Sequence, residues 1–360
     1  MSAVCGPDAE AVTRGLGFDC HDVSPWLSIR PPWEAAHWTM PLLELLVLGG
    51  AVFALVHAVR RHRQGDSTNL VLWCASLVYL LVIEPPLYFP EWFGIEGQYG
   101  FIFAHNRFTA QFMWDRLPLY IVAFYPMISQ LAYELVRSLG IFRARGALIG
   151  SVAVAFACQV FYEVFDHLGP QLRWWAWNGN NRIVNHPALD SVPMNSMLLF
   201  ASVSMGAMTY LVVCLAGGPR RGWSLAARVV LAGVLTPPTM AIAGLPSSLF
   251  GGSDPNTTAQ AWILGVELAL LWLAGTWIFV RHRGPGEPLT PFARFYPAIY
   301  LGGMAAFWLG ALPAYLAAED GVTEEGTPIG SGLYALACFA GAGLMLAALY
   351  RVRRGAPATG

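Results

Sequence analysis

The sequence predicts an all-α membrane protein, a polytopic helical bundle of about nine spans. Of its 360 residues, 56% are hydrophobic and only 12% are charged, and the mean hydropathy is +0.50. A soluble domain carries about a quarter charged residues, so this composition is that of a protein embedded in a membrane. The apolar runs and the charges of the loops, taken in chain order, support the same fold class.

Nine apolar runs are long enough to cross a bilayer, because about 20 helical residues span its hydrocarbon core. The predicted spans lie near residues 40–59, 69–89, 117–138, 147–166, 192–216, 225–248, 259–280, 295–317 and 331–350. We therefore expect a segment 1–38 outside the cytoplasm, a single transmembrane domain over residues 39–351 and a cytoplasmic tail over residues 352–360. No basic start followed by an apolar core marks a cleaved signal peptide in the first 35 residues.

Loop charges predict the orientation of these spans. Arginines follow every odd span: Arg60, Arg61 and Arg63, then Arg137, Arg143 and Arg145, then Arg220, Arg221 and Arg228, then Arg281 and Arg283, then Arg351, Arg353 and Arg354. Basic loops stay in the cytoplasm, so the N terminus is predicted outside and the C terminus inside a plasma membrane. All basic residues are arginine, which suggests a GC-rich bacterial genome. If the N-terminal segment is outside, Cys5 and Cys20 could form a disulfide.

The fourth span ends in a group of ionisable residues. Glu163, Asp166 and His167 close this span and would share one helix face if the helix continued through His167. Acids are costly inside a membrane, so such a cluster is a functional-site hypothesis by default. Tryptophans follow at once, including Trp175 and Trp177.

Further acids and aromatic residues occur in related positions. Glu84 lies toward the outer end of the second span, before a long aromatic loop that includes Tyr99. The second and fourth spans thus each end near an acid and are each followed by an aromatic loop, and the next span begins near a proline. Asn195 lies at the start of the fifth span. Two such hairpins facing each other would enclose one cavity. Glu267, about eight residues into the seventh span, should lie nearest the bilayer centre and is either a functional group or a hydrogen-bonding residue between helices.

Several other classes of site have no sequence signal. The histidines form no HxxxH or HExxH pattern, so neither a metal nor another cofactor is expected. Glycine-rich phosphate loops, nucleophile elbows and basic nucleic-acid patches are also absent. We expect a membrane lipid as the partner and no nucleic acid, and a homo-oligomer stays open.

The combination of acids and aromatic residues suits one chemistry in particular. A buried carboxyl group without a cationic partner stays protonated at neutral pH and can deliver its proton to an alkene. The resulting carbocation is stabilised by aromatic faces in a site with little water. A water held next to the cation leads to hydration, whereas exclusion of water leads to cyclisation or isomerisation.

The first acidic hairpin resembles a known family. It contains three elements in order: Glu84, GIEGQYGFIF at residues 94–103 and RLPLYIVAFYP at residues 116–126. Together they are similar to the corresponding segment of the membrane carotenoid hydratases of the bisanhydrobacterioruberin hydratase type. In that family a glutamate precedes a glycine-rich aromatic stretch and a helix that opens at proline.

The second hairpin extends the resemblance. It contains Asp166, then Trp175 and Trp177, then VPMN at residues 192–195. These elements are similar to the family's aspartate, W-x-W and Pro/Asn elements. The chain departs from the family at His167, where the family has proline. The resemblance covers residues 75–215, the expected active-site core. It implies isoprenoid chemistry within the membrane, shared with the small integral-membrane terpene cyclases that also work through paired acids.

These observations define the candidate roles. Asp166 and Glu84 are the expected acid and counter-acid, with Glu163 and Asn195 orienting them. Further candidates for substrate contact are Trp175, Trp177, Tyr99, His167 and Glu267. Two alternatives stay open: a proton- or cation-coupled transporter, in which the acids carry the ion, and an accessory subunit without chemistry of its own.

Overall fold

The computed structural model describes residues 5–216, 222–282 and 286–352. Nine helices in these residues are long and apolar enough to span a membrane, which confirms the all-α polytopic bundle. Two short helices, α1 (Pro7–Gly15) and α4 (Glu96–Tyr99), lie outside the spans. The long helices are α2 (Thr39–Arg63), α3 (Thr68–Tyr88), α5 (Leu119–Ser138), α6 (Ile141–Asp166), α7 (Ser204–Leu215), α8 (Trp223–Ser248), α9 (Thr257–Arg281), α10 (Pro291–Leu316) and α11 (Gly332–Val352).

The helix ends follow local sequence. Gly146 has a left-handed φ of 78° inside α6, so the continuous part of that helix starts at residue 147, where the fourth span was predicted to begin. The fifth span opens with a π-helical segment, Ser196–Val203, which runs into α7. Among the residues used to predict orientation, Arg220, Arg221, Arg283, Arg353 and Arg354 lie outside the described residues, as does the tail beyond residue 352. The orientation stays a prediction.

Helices α5 and α6 form the centre of the bundle. In their most apolar windows, 89% of the residues of α5 and 78% of those of α6 are buried, against 22% for α8, α9 and α10. Their contact is apolar along most of its length, with Ile128, Leu131, Val154 and Cys158 fully buried. A side chain on the inner face of either helix is therefore surrounded by protein, and it has to find its polar partners there.

Short strands cover one end of the bundle. They are β1 (Leu27–Ile29), β2 (Phe103–His105), β3 (Ala110–Phe112), β4 (Leu117–Pro118), β5 (Trp175–Trp177), β6 (Ala188–Leu189) and β7 (Val192–Pro193). They pair antiparallel in the order β1-β3-β4, β2-β5 and β6-β7. We call this the loop end. The strands were not predicted, because each is only two or three residues long and the pairs β1-β3 and β2-β5 join segments that are distant in the chain.

The N-terminal segment packs onto the loop end. A disulfide joins Cys5 and Cys20 across α1. Beside it, Asp19 and His21 bring potential metal-ligand atoms within 4.8 Å of the two sulfur atoms. Sulfur atoms in a disulfide are not thiolate ligands, so this group is a covalent tie of the segment in the oxidised protein.

The opposite end of the bundle holds a carboxylate with every oxygen satisfied. Glu134 on α5 accepts hydrogen bonds from Asn69 Nδ2 at 2.9 Å, from Arg137 Nε at 2.7 Å and from Thr290 Oγ1 at 3.1 Å. His57 Nε2 lies 3.2 Å from the same carboxylate. Glu134 thereby joins α2, α3 and α5 to the start of α10.

Removing this carboxylate should destabilise the protein strongly. We expect Glu134→Ala to lower the free energy of unfolding by about 3 kcal/mol, because Arg137 and Asn69 would lose a buried partner. Thermal unfolding in detergent measures the loss. The matched control is Glu287→Gln, which removes the partly exposed second partner of Arg137 and should cost about 1 kcal/mol or less. Equal losses in the two variants would contradict the central role of Glu134.

Candidate functional site

A cavity of about 100 Å³ lies at the loop end, between the ends of α3, α5 and α6 and the strands above them. Eight aromatic residues line it: Phe103, Phe124, Tyr125, Tyr162, Phe165, Trp175, Trp177 and Phe200. Glu84 and Asp166 also contribute to its wall, and among the described residues no lysine or arginine does. The two predicted acids, which are 82 positions apart in sequence, therefore face one aromatic cavity without a cationic side chain.

Glu84 is held at the end of α3. Pro85 and Pro86 follow it and lack N–H groups, which weakens the last turn of the helix before it ends at Tyr88. The Glu84 side chain is buried, and Tyr125 on α5 donates its phenol O–H to Oε1. Oε2 is buried and has no hydrogen-bond partner among the described residues. One oxygen of this carboxyl group is thus fixed, and the other is unsatisfied.

Asp166 is the last residue of α6. Ser196 Oγ, from the first residue of the π-helical segment, donates to Asp166 Oδ2 at 3.2 Å. π-Helical turns are rare and often occur at functional sites. The serine was missed by sequence analysis, which assigned the orienting role to its neighbour Asn195.

Strands β2 and β5 form the roof of the cavity. Phe103 pairs with Trp177 and His105 with Trp175, whereas Ala104 lies between them opposite Ala176. Because side chains alternate along a strand, all four ring-bearing residues point to the same face. The sequence patterns Phe-Ala-His and Trp-Ala-Trp contain this alternation, so they were the available signal for a two-stranded aromatic roof.

His105 is a cavity residue that the sequence analysis did not select. Its ring contacts Trp175 and Phe103, and its Nδ1 lies 3.2 Å from the hydroxyl of Tyr120. Burial lowers the pKa of His105 to about 3. The imidazole is therefore neutral at physiological pH and adds a polar group without adding a positive charge.

Four of the predicted site residues do not line the cavity. Tyr99 is exposed on α4, and its backbone carbonyl accepts a hydrogen bond from Asn181. Glu267 is half-buried on α9, away from the cavity wall. Glu163 and His167 contact each other, with 3.3 Å between Oε2 and Nε2, but on another face of α6. Glu163 and Asp166 are neighbours, about 60° apart around the helix axis, but of the three residues expected to act together only Asp166 lines the cavity.

Asn195 lies at the rim but does not orient the acids. Its amide donates to the carbonyl of Val184 at 3.3 Å, and so it joins two segments of the loop. Leu87, Val184, Asn195 and Phe200 line the cavity and are each partly exposed. These residues mark the side on which the cavity approaches the protein surface.

The chain matches no protein-family model, no curated protein and no solved structure. The geometry of the cavity therefore carries the functional assignment.

His105 should make the stability of the protein depend on pH. Its folded-state pKa of about 3 lies below the ordinary histidine value of about 6.5, so between these pH values only the unfolded state binds the proton. Stability should then fall as pH falls through this window, by up to about 1.4 kcal/mol per pH unit. The free energy of unfolding, measured in detergent, should differ less between pH 7.5 and pH 5 for His105→Gln than for the wild type. An unchanged difference would contradict this role, and the exposed His21→Gln is the matched control.

Proposed function

We propose that this protein is an integral-membrane enzyme that performs proton-initiated chemistry on an isoprenoid or carotenoid lipid. The observation that carries the proposal is the pairing of Glu84 and Asp166 in one aromatic cavity without a cationic side chain. Hydration, cyclisation and isomerisation all begin with the same protonation of an alkene. The plasma membrane is the proposed location.

The environments of the two acids support different roles. Within the described part of the chain the Asp166 side chain accepts one hydrogen bond, from Ser196, and Asp166 is proposed to donate the proton. Glu84 accepts the O–H of Tyr125, a bond that stabilises its charged form, and is proposed to receive the proton released later in the cycle. Two acids in unlike surroundings are the usual arrangement for a donor and an acceptor.

The aromatic wall supports a cationic intermediate. Ring faces attract a cation through their quadrupole, and the effect is larger in a site without water. Phe124 stacks on Phe165 with 4.7 Å between ring centroids, and Phe165 contacts Trp175 at 4.9 Å, so these rings form a continuous surface. The neutral imidazole of His105 and the side-chain oxygen of Asn185, which has no hydrogen-bond partner among the described residues, are two polar groups of the wall that could hold a water molecule. Such a water would direct the reaction towards hydration.

A proton- or cation-coupled transporter is the second candidate. It is favoured by Glu163, whose two carboxyl oxygens are buried and have no hydrogen-bond partner among the described residues. A transporter, however, requires a polar route from both sides. The cavity opens at the loop end, and Ile128, Leu131 and Cys158 fill the space beneath it. This one-sided arrangement favours an enzyme that draws a lipid from the membrane.

The test is conversion of linear polyprenoids and carotenoids by the purified protein in mild detergent. Glu84→Gln and Asp166→Asn should each lower turnover by at least about 100-fold, since general acid–base catalysis contributes that much or more. Mass spectrometry would detect a product heavier by one water or an isomer of equal mass. Glu91→Gln, in the loop after α3, is the control and should retain activity. Normal product from both cavity variants would overturn the assignment.

A further inference from the structure

A second group of polar side chains lies behind the catalytic face of α6. It consists of Gln159, Glu163 and His167 from α6 and its end, Trp272 from α9 and Tyr334 from α11, and we call it the Glu163 cluster. The Tyr334 hydroxyl accepts from Gln159 Nε2 at 3.0 Å and from Trp272 Nε1 at 2.9 Å. Both oxygens of Glu163 remain without a hydrogen bond among the described residues. The chemistry at Glu84 and Asp166 makes no use of this fully buried carboxyl group.

The tautomer of His167 follows from its contacts. The backbone N–H of Ser331 donates to His167 Nδ1 at 3.0 Å, so the ring proton of the neutral form lies on Nε2. Burial lowers the pKa of His167 to about 4, which keeps the ring neutral at pH 7. Nε2 is 3.3 Å from Glu163 Oε2, slightly outside hydrogen-bond alignment. The ring therefore presents an N–H towards the unsatisfied carboxyl group.

The cluster reaches towards both Asp166 and the protein surface. Side chains three apart on a helix are neighbours, which puts Glu163 beside Asp166. On the other side, Gly330 packs directly on His167, since a Cβ at Gly330 would lie 2.2 Å from the His167 carbonyl oxygen. Gly330 pairs with the exposed Asp190. The charged or titratable groups around His167 are thus Glu163, Asp166, Asp190 and Tyr334.

We propose that Glu163 and His167 form a proton route that returns a proton to Asp166 after each catalytic cycle. The route rests on the proposed function, because only an acid that is consumed needs to be restored. Asp166 gives its proton to the alkene, and Glu163 then passes its own proton to Asp166. When the segment at Ser331 moves away, His167 takes a proton from water at Nδ1 and passes its Nε2 proton to Glu163. The ring then gives its Nδ1 proton to water and takes one from water at Nε2, which restores the tautomer that accepts from Ser331. The proton that Glu84 collects from the substrate or from added water leaves to solvent, so the cycle balances.

A comparison of the first turnover with the steady state tests this route. Glu163→Gln and His167→Gln should form one product per enzyme at the wild-type rate and should then slow by about 100-fold, the low end of the contribution of a positioned proton donor. Tyr334→Phe is the matched control, because it retains the ring against His167 and disturbs the same cluster. It should leave both phases unchanged. Loss of the first turnover in Glu163→Gln would overturn the route, as would a normal steady state.

Infrared spectroscopy tests the same route without substrate. The carboxyl band of Glu163 is identified by its loss in Glu163→Gln. In D2O this band should shift quickly in the wild type as deuterium replaces the proton, and the shift should be at least about tenfold slower in His167→Gln. If the wild type converts no isoprenoid, the proposed reaction fails, and this exchange alone then decides the route. Equal exchange rates in the wild type and in His167→Gln would overturn the route even if the enzyme is active.

Discussion

The cost of burying a carboxyl group in a membrane protein governs this structure. An unpaired charge in an apolar interior is so unfavourable that the group must find partners or remain neutral. The two ends of the bundle resolve this constraint in opposite ways. Glu134 is surrounded by donors from several helices, including Arg137, and behaves as a structural tie. Among the described residues Glu84 and Asp166 each accept one side-chain hydrogen bond and Glu163 accepts none, which is unfavourable for stability but suits the proposed transfer of protons.

The central position of α5 and α6 makes this difference possible. Because these helices are buried along most of their length, side chains at their ends are covered by protein from the loop end as well as by other helices. The roof formed by β2 and β5 covers the cavity with Trp175, Trp177, Phe103 and His105 and leaves the rim at Asn195. Water is thereby limited at the place where two acids meet eight aromatic residues. Chemistry through a carbocation requires this combination of proton donor, ring faces and restricted solvent.

Helix α6 serves two environments with neighbouring residues. Tyr162, Phe165 and Asp166 line the cavity, whereas Glu163 does not and lies near Tyr334 and Cys338 of α11. Asp166 is at the edge between the two, since a helix turns by about 100° per residue. A single helix end can therefore hold the acid that is proposed to react and, beside it, the acid that is proposed to supply it. The close approach of Gly330 to His167 joins this helix end to the loop between α10 and α11.

Sequence alone determined the number of spans and most of their limits, because apolar length is a local property that each segment carries by itself. It also selected Glu84, Asp166, Trp175 and Trp177, since acids beside aromatic clusters are unusual in apolar runs. Only the tertiary structure decided which of these residues meet. The separation of Glu163 from the cavity depends on its angle around α6, and the inclusion of His105 and Ser196 depends on strand pairing and on a π-helical turn. Exposed Tyr99 and half-buried Glu267 have suitable chemistry in sequence, but contacts between distant segments place them elsewhere.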